Sequence, residues 1–449
     1  MPIIHHKPTG FYELFRRKTE EAKGRRGMLI SSVLSMMINN LTGGVFYSGF
    51  LLGHGIDIVN IGILTFIPYI ATLFSLFSPL ILERFSKRKY ILAAGRMLYY
   101  VINILGLTLL PELVSDPIGK TVGFGIIVFA ASVINHLFLP GYTVWNLNFL
   151  PEHLRADYFT MVPMITNFLS GGVLIFSSAI TDLLADSPHQ LAIITALRYL
   201  ALAIAVADVA ALTFRKEYPY EKASEKTRIR DSLVLPIRHK KFMLTMFITF
   251  FYTFTINITG SVLNTWMLED VGASYTFINA INASFFLFFL FFRGVAKNMI
   301  RKYDWFYTFV LILLIHAPSY FLFGLVNHQN YLWLMLGVRL FQHFCGVITN
   351  AVNSNLLYIN LPRTDRTCYI TFHTLITNLA MFLSLFFGTF FVKFVGDASF
   401  FLFGIEIGSV QMLLMLTGVL ELILAGLVVA LMPRIDPEGK KRMEERRAK

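Results

Sequence analysis

The stretch Asn40-Leu41-Thr42-Gly43-Gly44-Val45 lies in the first long apolar segment of the chain. It returns as Asn257-Ile258-Thr259-Gly260-Ser261-Val262 in the seventh, 217 residues later. A second group echoes at an offset of 211. Leu150-Pro151, Arg155, Tyr158, Thr160 and Ile165-Thr166-Asn167 reappear as Leu361-Pro362, Arg366, Tyr369, Thr371 and Ile376-Thr377-Asn378. Two matches in the same order, at nearly one offset and close to half the chain length, mark an internal duplication. The offsets differ by six residues, so the copies differ by small insertions or deletions.

The 449 residues are 55% hydrophobic and only 15% charged, with 44 Phe. That charge fraction is well below the ~25% of soluble domains. Twelve apolar segments are long enough to cross a bilayer, which takes about 20 residues. They cover 27–53, 58–82, 90–111, 121–150, 158–184, 190–214, 242–268, 274–297, 304–326, 331–361, 368–395 and 408–432. Pro111, Pro117, Pro151, Pro188, Pro362 and Pro433 punctuate their boundaries. The expected fold is therefore an all-α membrane protein with twelve transmembrane helices. The first apolar run is long enough to span and stay, so no cleavable signal is expected. The two cysteines, Cys345 and Cys368, imply neither a disulfide framework nor a metal cluster.

Charge sets the expected orientation. Basic residues fill the N-terminal tail, the 2–3 loop (Arg84, Lys87, Arg88, Lys89), the 4–5 loop (Arg155), the 8–9 loop (Arg301, Lys302), the 10–11 loop (Arg363, Arg366) and the C-terminal tail. The opposite loops carry Asp57, Glu112, Asp116, Asp182, Asp186, Glu269 and Asp270. Both termini are expected in the cytoplasm, in a multi-pass protein of the cytoplasmic membrane. The net charge of +12 thus sits in short loops and tails, so nucleic acid is not an expected partner. The expected domains are a tail over 1–26, a six-helix bundle over 27–214, a charged linker over 215–241, a second bundle over 242–433 and a tail over 434–449. An even number of spans in each half gives two parallel repeats.

The 2–3 loop carries a resemblance. The run Pro79-Leu80-Ile81-Leu82-Glu83-Arg84-Phe85-Ser86-Lys87-Arg88-Lys89 resembles the major facilitator superfamily signature, approximately Gly-x-Leu-x-Asp-Arg-x-Gly-Arg-Arg/Lys. It keeps the acid, the Arg after it and the basic cluster, and replaces both glycines. Traces of the signature recur as Arg301 and Tyr307, 217 residues after Arg84 and Tyr90. The resemblance implies two six-helix bundles with the first, fourth, seventh and tenth helices around a central cavity. It also implies a cytoplasmic gate at Glu83, Arg84, Lys87, Arg155 and Arg366; the competing reading is that these charges only fix topology. The Gly/Pro-rich fifth-helix pattern of drug–proton antiporters and the Pro-Glu-Ser-Pro-Arg of sugar porters are absent, so no subfamily is assigned.

Polar side chains in lipid face a bundle interior or a wet cavity. On the central helices these are Asn40; Asn135, His136 and Tyr142; Asn257, Ser261 and Asn264; and Arg339, His343, Asn350 and Asn353. The last four share one stripe of the tenth helix. They are candidate solute ligands, with helix–helix hydrogen bonding as the alternative for each. An anionic group on Arg339 would satisfy a guanidinium that has no carboxylate on the other central helices; a structural partner such as Glu421 is the alternative. Asp208, Glu421 and His373 are candidates for ion coupling, with a structural Arg96–Asp208 pair as the alternative for Asp208. Arg198 and Arg293 are placed near enough to helix ends to snorkel.

A secondary transporter moving a small polar or anionic organic solute by alternating access is the expected function. Proton symport, exchange and facilitated diffusion stay open. A multidrug exporter of the same fold is the rival, and a membrane-embedded enzyme or transporter-derived receptor a remote one. An enzyme is not expected, because no catalytic constellation is visible. Neither is a P-loop ATPase, since Val114 stands where the motif before Gly119-Lys120-Thr121 needs its first Gly. No cofactor is expected; the partners are a small solute, the bilayer and, where coupled, protons, and the protein is expected to be a monomer.

Overall fold

A computed structural model of the chain describes residues 14–15, 18–82, 85, 87–185, 187, 189–217, 229–362 and 366–437. The spans run in sequence order. α1 is Glu20–Gly53, α2 Ile58–Ser75, α3 Lys89–Leu113, α4 Pro117–Leu147, α5 Glu152–Asp182 and α6 Gln190–Thr213. α7 is Lys240–Asn257, resumed over Leu263–Glu269. α8 is Tyr275–Tyr303, α9 Trp305–Phe323, α10 Tyr331–Ile359, α11 Arg366–Val395 and α12 Ser409–Ile435.

Eleven of these helices are long and apolar enough to cross a membrane. The other is α7, and the duplicated motif is the reason. In the first copy α1 breaks at Gly43. Gly43 N–H bonds to Asn39 O at 2.8 Å, and Gly44 takes a positive φ of 55°. A side chain on Gly44 would be strained there. In the second copy the helix gives way to a turn over 258–262, closed by Gly260 N–H on Asn257 O at 2.9 Å. Both copies of Asn-x-Thr-Gly therefore interrupt a membrane helix. Irregular backbone at that depth survives only where protein or water satisfies it.

The second break is sealed by α11. Ser384 Oγ donates to Phe254 O, Ser261 Oγ donates to Leu385 O at 3.3 Å, and Thr389 Oγ1 donates to Ser261 Oγ at 2.9 Å. A Cβ on Gly388 would fall 1.8 Å from Ile258 O, so only glycine lets α11 come this close. Small residues at i and i+4, here Ser384 and Gly388, are the usual means of close approach between membrane helices.

By packing, the residues divide into two units: Met1–Asp57 with Ile70–Ala223, and Ile58–Tyr69 with Ser224–Lys449. The first part of α2 thus groups with the second unit, where Phe66 packs against Phe382 and Phe386. The duplication is legible in helix pairing. Within the first unit α1 packs on α5 and α6, and α3 on α4 and α6. Within the second, α7 packs on α11 and α12, and α9 on α10 and α12. Two elements depart from the sequence expectation. The linker contains a helix, Ile229–Arg238, whose Leu235 O accepts from Tyr369 OH at 3.4 Å. Between α11 and α12 a hairpin forms from β1 (Phe400–Leu402) and β2 (Ile405–Ile407), turning through Phe403 and Gly404, both at positive φ.

Candidate functional site

In the second unit Arg339 organises a polar cluster joining α8, α9 and α10. It stands eight residues inside the start of α10, about 12 Å along the helix. Its Nη2 donates to Asn282 Oδ1 at 3.0 Å and its Nη1 to Gln342 Oε1 at 3.2 Å. Gln342 Nε2 in turn donates to Ser319 Oγ at 3.2 Å. The guanidinium lies 5.8 Å from the Phe323 ring centroid. Gln342 is buried, Arg339 half-buried and Asn282 exposed, so the cluster is reachable from one side. Amide oxygens satisfy its donors but do not neutralise its charge. No carboxylate lies within ion-pair range of Arg339 among the described residues. One helical turn on, His343 is buried. Its Nε2 lies 2.9 Å from Ile281 O and its ring packs against Phe285 and Phe288. Further along, Asn350 is exposed, and Asn353 Oδ1 is buried without a hydrogen-bond partner.

The other polar residues of the central helices tie helices together or bond within their own. Asn40 Nδ2 donates to Ser170 O at 3.2 Å, joining α1 to α5. Tyr142 OH donates to Leu92 O at 2.7 Å, joining α4 to α3. Asn257 Nδ2 bonds one turn back, to Thr253 O at 2.8 Å. Ser261 serves the seal with α11. Asn135, His136 and Asn264 are half-buried, as is His373 on α11.

Among the described residues three carboxylates are buried; Asp304 caps the start of α9, and the other two each meet a base. In the first unit Asp208 is fully buried on α6 and both its oxygens are occupied. Oδ1 accepts from Ser31 Oγ at 2.5 Å; Oδ2 accepts from Arg96 Nε and Tyr100 OH, each at 2.7 Å. The structural Arg96–Asp208 pair is thus formed. In the second unit Glu421, fully buried on α12, lies 2.9 Å from His316 Nδ1 through Oε1. It does not reach Arg339. Arg293 is exposed, as a snorkelling side chain should be, but Arg198 corrects that expectation. Arg198 is 1% exposed, with Nε donating to Thr108 Oγ1 at 2.9 Å and the guanidinium 4.4 Å from the Phe50 centroid. The aromatic face of α1 covers it before it can reach water.

Of the expected gate, Glu83 and Arg84 lie outside the described residues, as do the side chains of Arg155 and Arg366, and Lys87 is exposed. An acid does cap the neighbouring helix, however. Glu217 Oε1 accepts from the backbone N–H groups of Arg88 and Lys89 at the start of α3, where the helix dipole favours a carboxylate. Next to it Arg215 stacks on Trp145 at 4.8 Å and donates to Asn146 Oδ1 at 2.7 Å. Burial pushes the Arg215 guanidinium down to about 10.

The model of the Major Facilitator Superfamily matches residues 245–448, from α7 into the C-terminal tail. Over those residues, a little under half of its length, the chain is similar to that superfamily. Solved structures of transporters agree in fold over almost the whole length. The nucleoside transporter NupG superposes with a TM-score of 0.65 at 12% identity, covering 92% of this chain and 99% of its own. A bacterial homologue of the human lysosomal transporter Spinster, inward-facing and unoccupied, gives 0.62 at 12%, covering 96% and 99%. The D-xylose–proton symporter gives 0.60 at 12%, covering 91% and 97%. No curated protein matches the sequence. The likeness to these structures shows the fold, in which eleven helices are long and apolar enough to cross a membrane.

Among the residues that matter here, sequence reasoning missed Asn282 as a partner of Arg339, and Gln342, Ser319 and Glu217 altogether. Gln342 had a signal: it stands at i+3 from Arg339, one helical step away.

Proposed function

We propose that this protein is a transporter that moves a small polar organic solute bearing an anionic group across the cytoplasmic membrane by alternating access, as a monomer with both termini in the cytoplasm. The observation that supports it is Arg339: a guanidinium well inside the membrane, reachable, held by two amide oxygens and without a carboxylate among the described residues. A carboxylate or phosphate on the solute would supply the missing charge in bidentate geometry. Asn282 and Gln342 hold the guanidinium plane, and both can turn an N–H toward the incoming oxygens. Asn350 and Asn353 extend the same α10 stripe for the polar remainder of the solute.

The test is an uptake and counterflow panel in proteoliposomes covering sugars, nucleosides, monocarboxylates, dicarboxylates and hydrophobic cations. Carboxylate flux is expected in the wild type, weakened about tenfold or more in Arg339→Lys and abolished in Arg339→Gln, with both variants monodisperse. Flux confined to hydrophobic cations, or flux indifferent to Arg339→Gln, overturns the reading.

A further inference from the structure

Arg198 on α6 has no counter-charge. It stands eight residues inside the start of its helix, about 12 Å, and is 1% exposed. A guanidinium carries five N–H donors in a fixed fork. Nε and Nη2 spend the side-on edge of that fork on neutral acceptors of α3, Thr108 Oγ1 at 2.9 Å and the Asn103 carbonyl at 3.3 Å. Nη1 is buried with no hydrogen-bond partner. No carboxylate lies within ion-pair range of Arg198 among the described residues. A charge buried in this way is costly, because the hydration it gave up is not replaced.

Two polar atoms beside it are in the same condition. Tyr47, Phe50 and His54 fall at i, i+3 and i+7 on one face of α1, and His54 is the residue that caps it. The Arg198 guanidinium lies 4.4 Å from the Phe50 ring centroid, and the His54 ring packs edge-on to the same ring at 4.6 Å. Tyr47 stands one turn before Phe50, and both Tyr47 and His54 are within electrostatic range of Arg198. The Tyr47 hydroxyl and His54 Nε2 are buried, and neither has a hydrogen-bond partner. A hydroxyl and an imidazole nitrogen can both donate. The further charge acting on His54 is Lys120, near the start of α4 and also positive. Among the described residues no acid acts on Tyr47, His54 or Arg198.

We infer that Tyr47, His54 and Arg198 form a binding site for one small inorganic anion of halide size, and that the bound anion ties α1 to α6. A water molecule would supply an acceptor to these donors but no charge to the guanidinium; an anion supplies both. Carboxylates and phosphates are gripped bidentately, and the side-on edge that does so is already taken by Thr108 and Asn103. Nη1 and two single donors suit a one-atom ion, of which chloride is the common case. His54 marks the end of α1 and Tyr47 lies seven residues further in, about 10 Å, so the anion enters past His54. Lys120 adds a field that draws it there. The site lies wholly in the first unit and is independent of the Arg339 cluster, which belongs to the second.

Chloride is the probe. The purified full-length protein is melted at one scan rate in sodium chloride titrated against sodium gluconate at constant ionic strength, so that screening is the same throughout. For a unit of roughly 200 residues the wild-type melting point is expected to rise by about 3–6 °C once chloride reaches roughly ten times its dissociation constant. Arg198→Met is expected to melt at one temperature in both salts. Tyr47→Phe, which removes a single donor, is expected to need about tenfold more chloride for the same rise. Anomalous scattering from crystals grown in bromide is expected to place one peak beside Arg198 Nη1. A wild-type melting point indifferent to chloride overturns the site, as does an equal rise in Arg198→Met, which would mark an adventitious ion only. Should Arg198→Met fail to fold, an unchanged chloride dependence in Tyr47→Phe overturns it equally. A water at Nη1 with no bromide peak does the same.

Discussion

Asp208→Ala is the sharpest single perturbation of the first bundle. Asp208 is fully buried and accepts three hydrogen bonds, from α1 (Ser31) and α3 (Arg96 and Tyr100). Removing it strands the Arg96 guanidinium, which is only 18% exposed. Breaking a buried pair by removing one partner costs about 3–5 kcal/mol. For a unit of roughly 200 residues, each kcal/mol lowers the melting point by about 2–4 °C, so a drop of roughly 6–20 °C is expected. The assay is a thermal ramp of the detergent-purified protein at one fixed scan rate, because such unfolding is commonly irreversible. Intrinsic fluorescence reports it, with Trp145 buried in the same bundle. Arg96→Met with Asp208→Leu should recover most of the loss, since an apolar replacement of both partners leaves no stranded charge. A melting point within about 2 °C of wild type for Asp208→Ala, or a double variant as unstable as the single, would refute the reasoning.

Arg198→Met should cost little or raise stability, in contrast to Arg96→Met. Arg198 strands no acid when removed, and Thr108 keeps its own bond to Ile104 O; the same thermal ramp compares them. Gly388→Ala should fail to accumulate as folded protein, because its methyl would meet the Ile258 carbonyl; gel-filtration yield after expression measures this. Gly44→Ala should be milder, costing about 1–2 kcal/mol for a left-handed residue with open space around it. Glu217→Gln should weaken the cap on α3 by roughly 0.3–1 kcal/mol, visible as faster hydrogen exchange at Arg88 and Lys89. Strong labelling of Ser224→Cys in intact cells by an impermeant thiol reagent, with Cys345 and Cys368 replaced, would contradict the cytoplasmic linker.

What the sequence made legible followed from one-dimensional quantities. Span number came from hydropathy length, and the Arg96–Asp208 pair from opposite charges on the third and sixth segments. The rest depends on rotation of each helix about its axis, which periodicity limits to a face without naming the partner. Arg339 stood out as a guanidinium with no carboxylate on the other central helices, yet Asn282 became its partner only once α8 was set against α10. Arg198 failed for the same reason. Its distance from the helix end permitted snorkelling, and the Phe50 ring over it could not be seen. The duplicated motif was found as a repeat, whereas its meaning as a helix break needed the positive φ of Gly44 and the turn at Gly260. Glu421 was named as a coupling candidate and a possible partner of Arg339, but its bond goes to His316 and joins α12 to α9 across 105 residues.

The middle of α3 winds as a π-helix over Val101–Gly106, and there the Asn103 carbonyl accepts from Arg198 Nη2 at 3.3 Å. A π-turn holds one residue more than the α-turn it replaces. Deleting one residue within 101–106 would therefore let the helix close to ordinary winding with both flanks still in phase. The same deletion two turns earlier would swing everything beyond it by about 100° and turn Arg96 or Tyr100 away from Asp208. The segment is a length buffer, the place in this bundle where an indel can be absorbed without re-aiming a side chain. What is forfeited is the carbonyl on Arg198, so the extra residue and the buried arginine should come and go together.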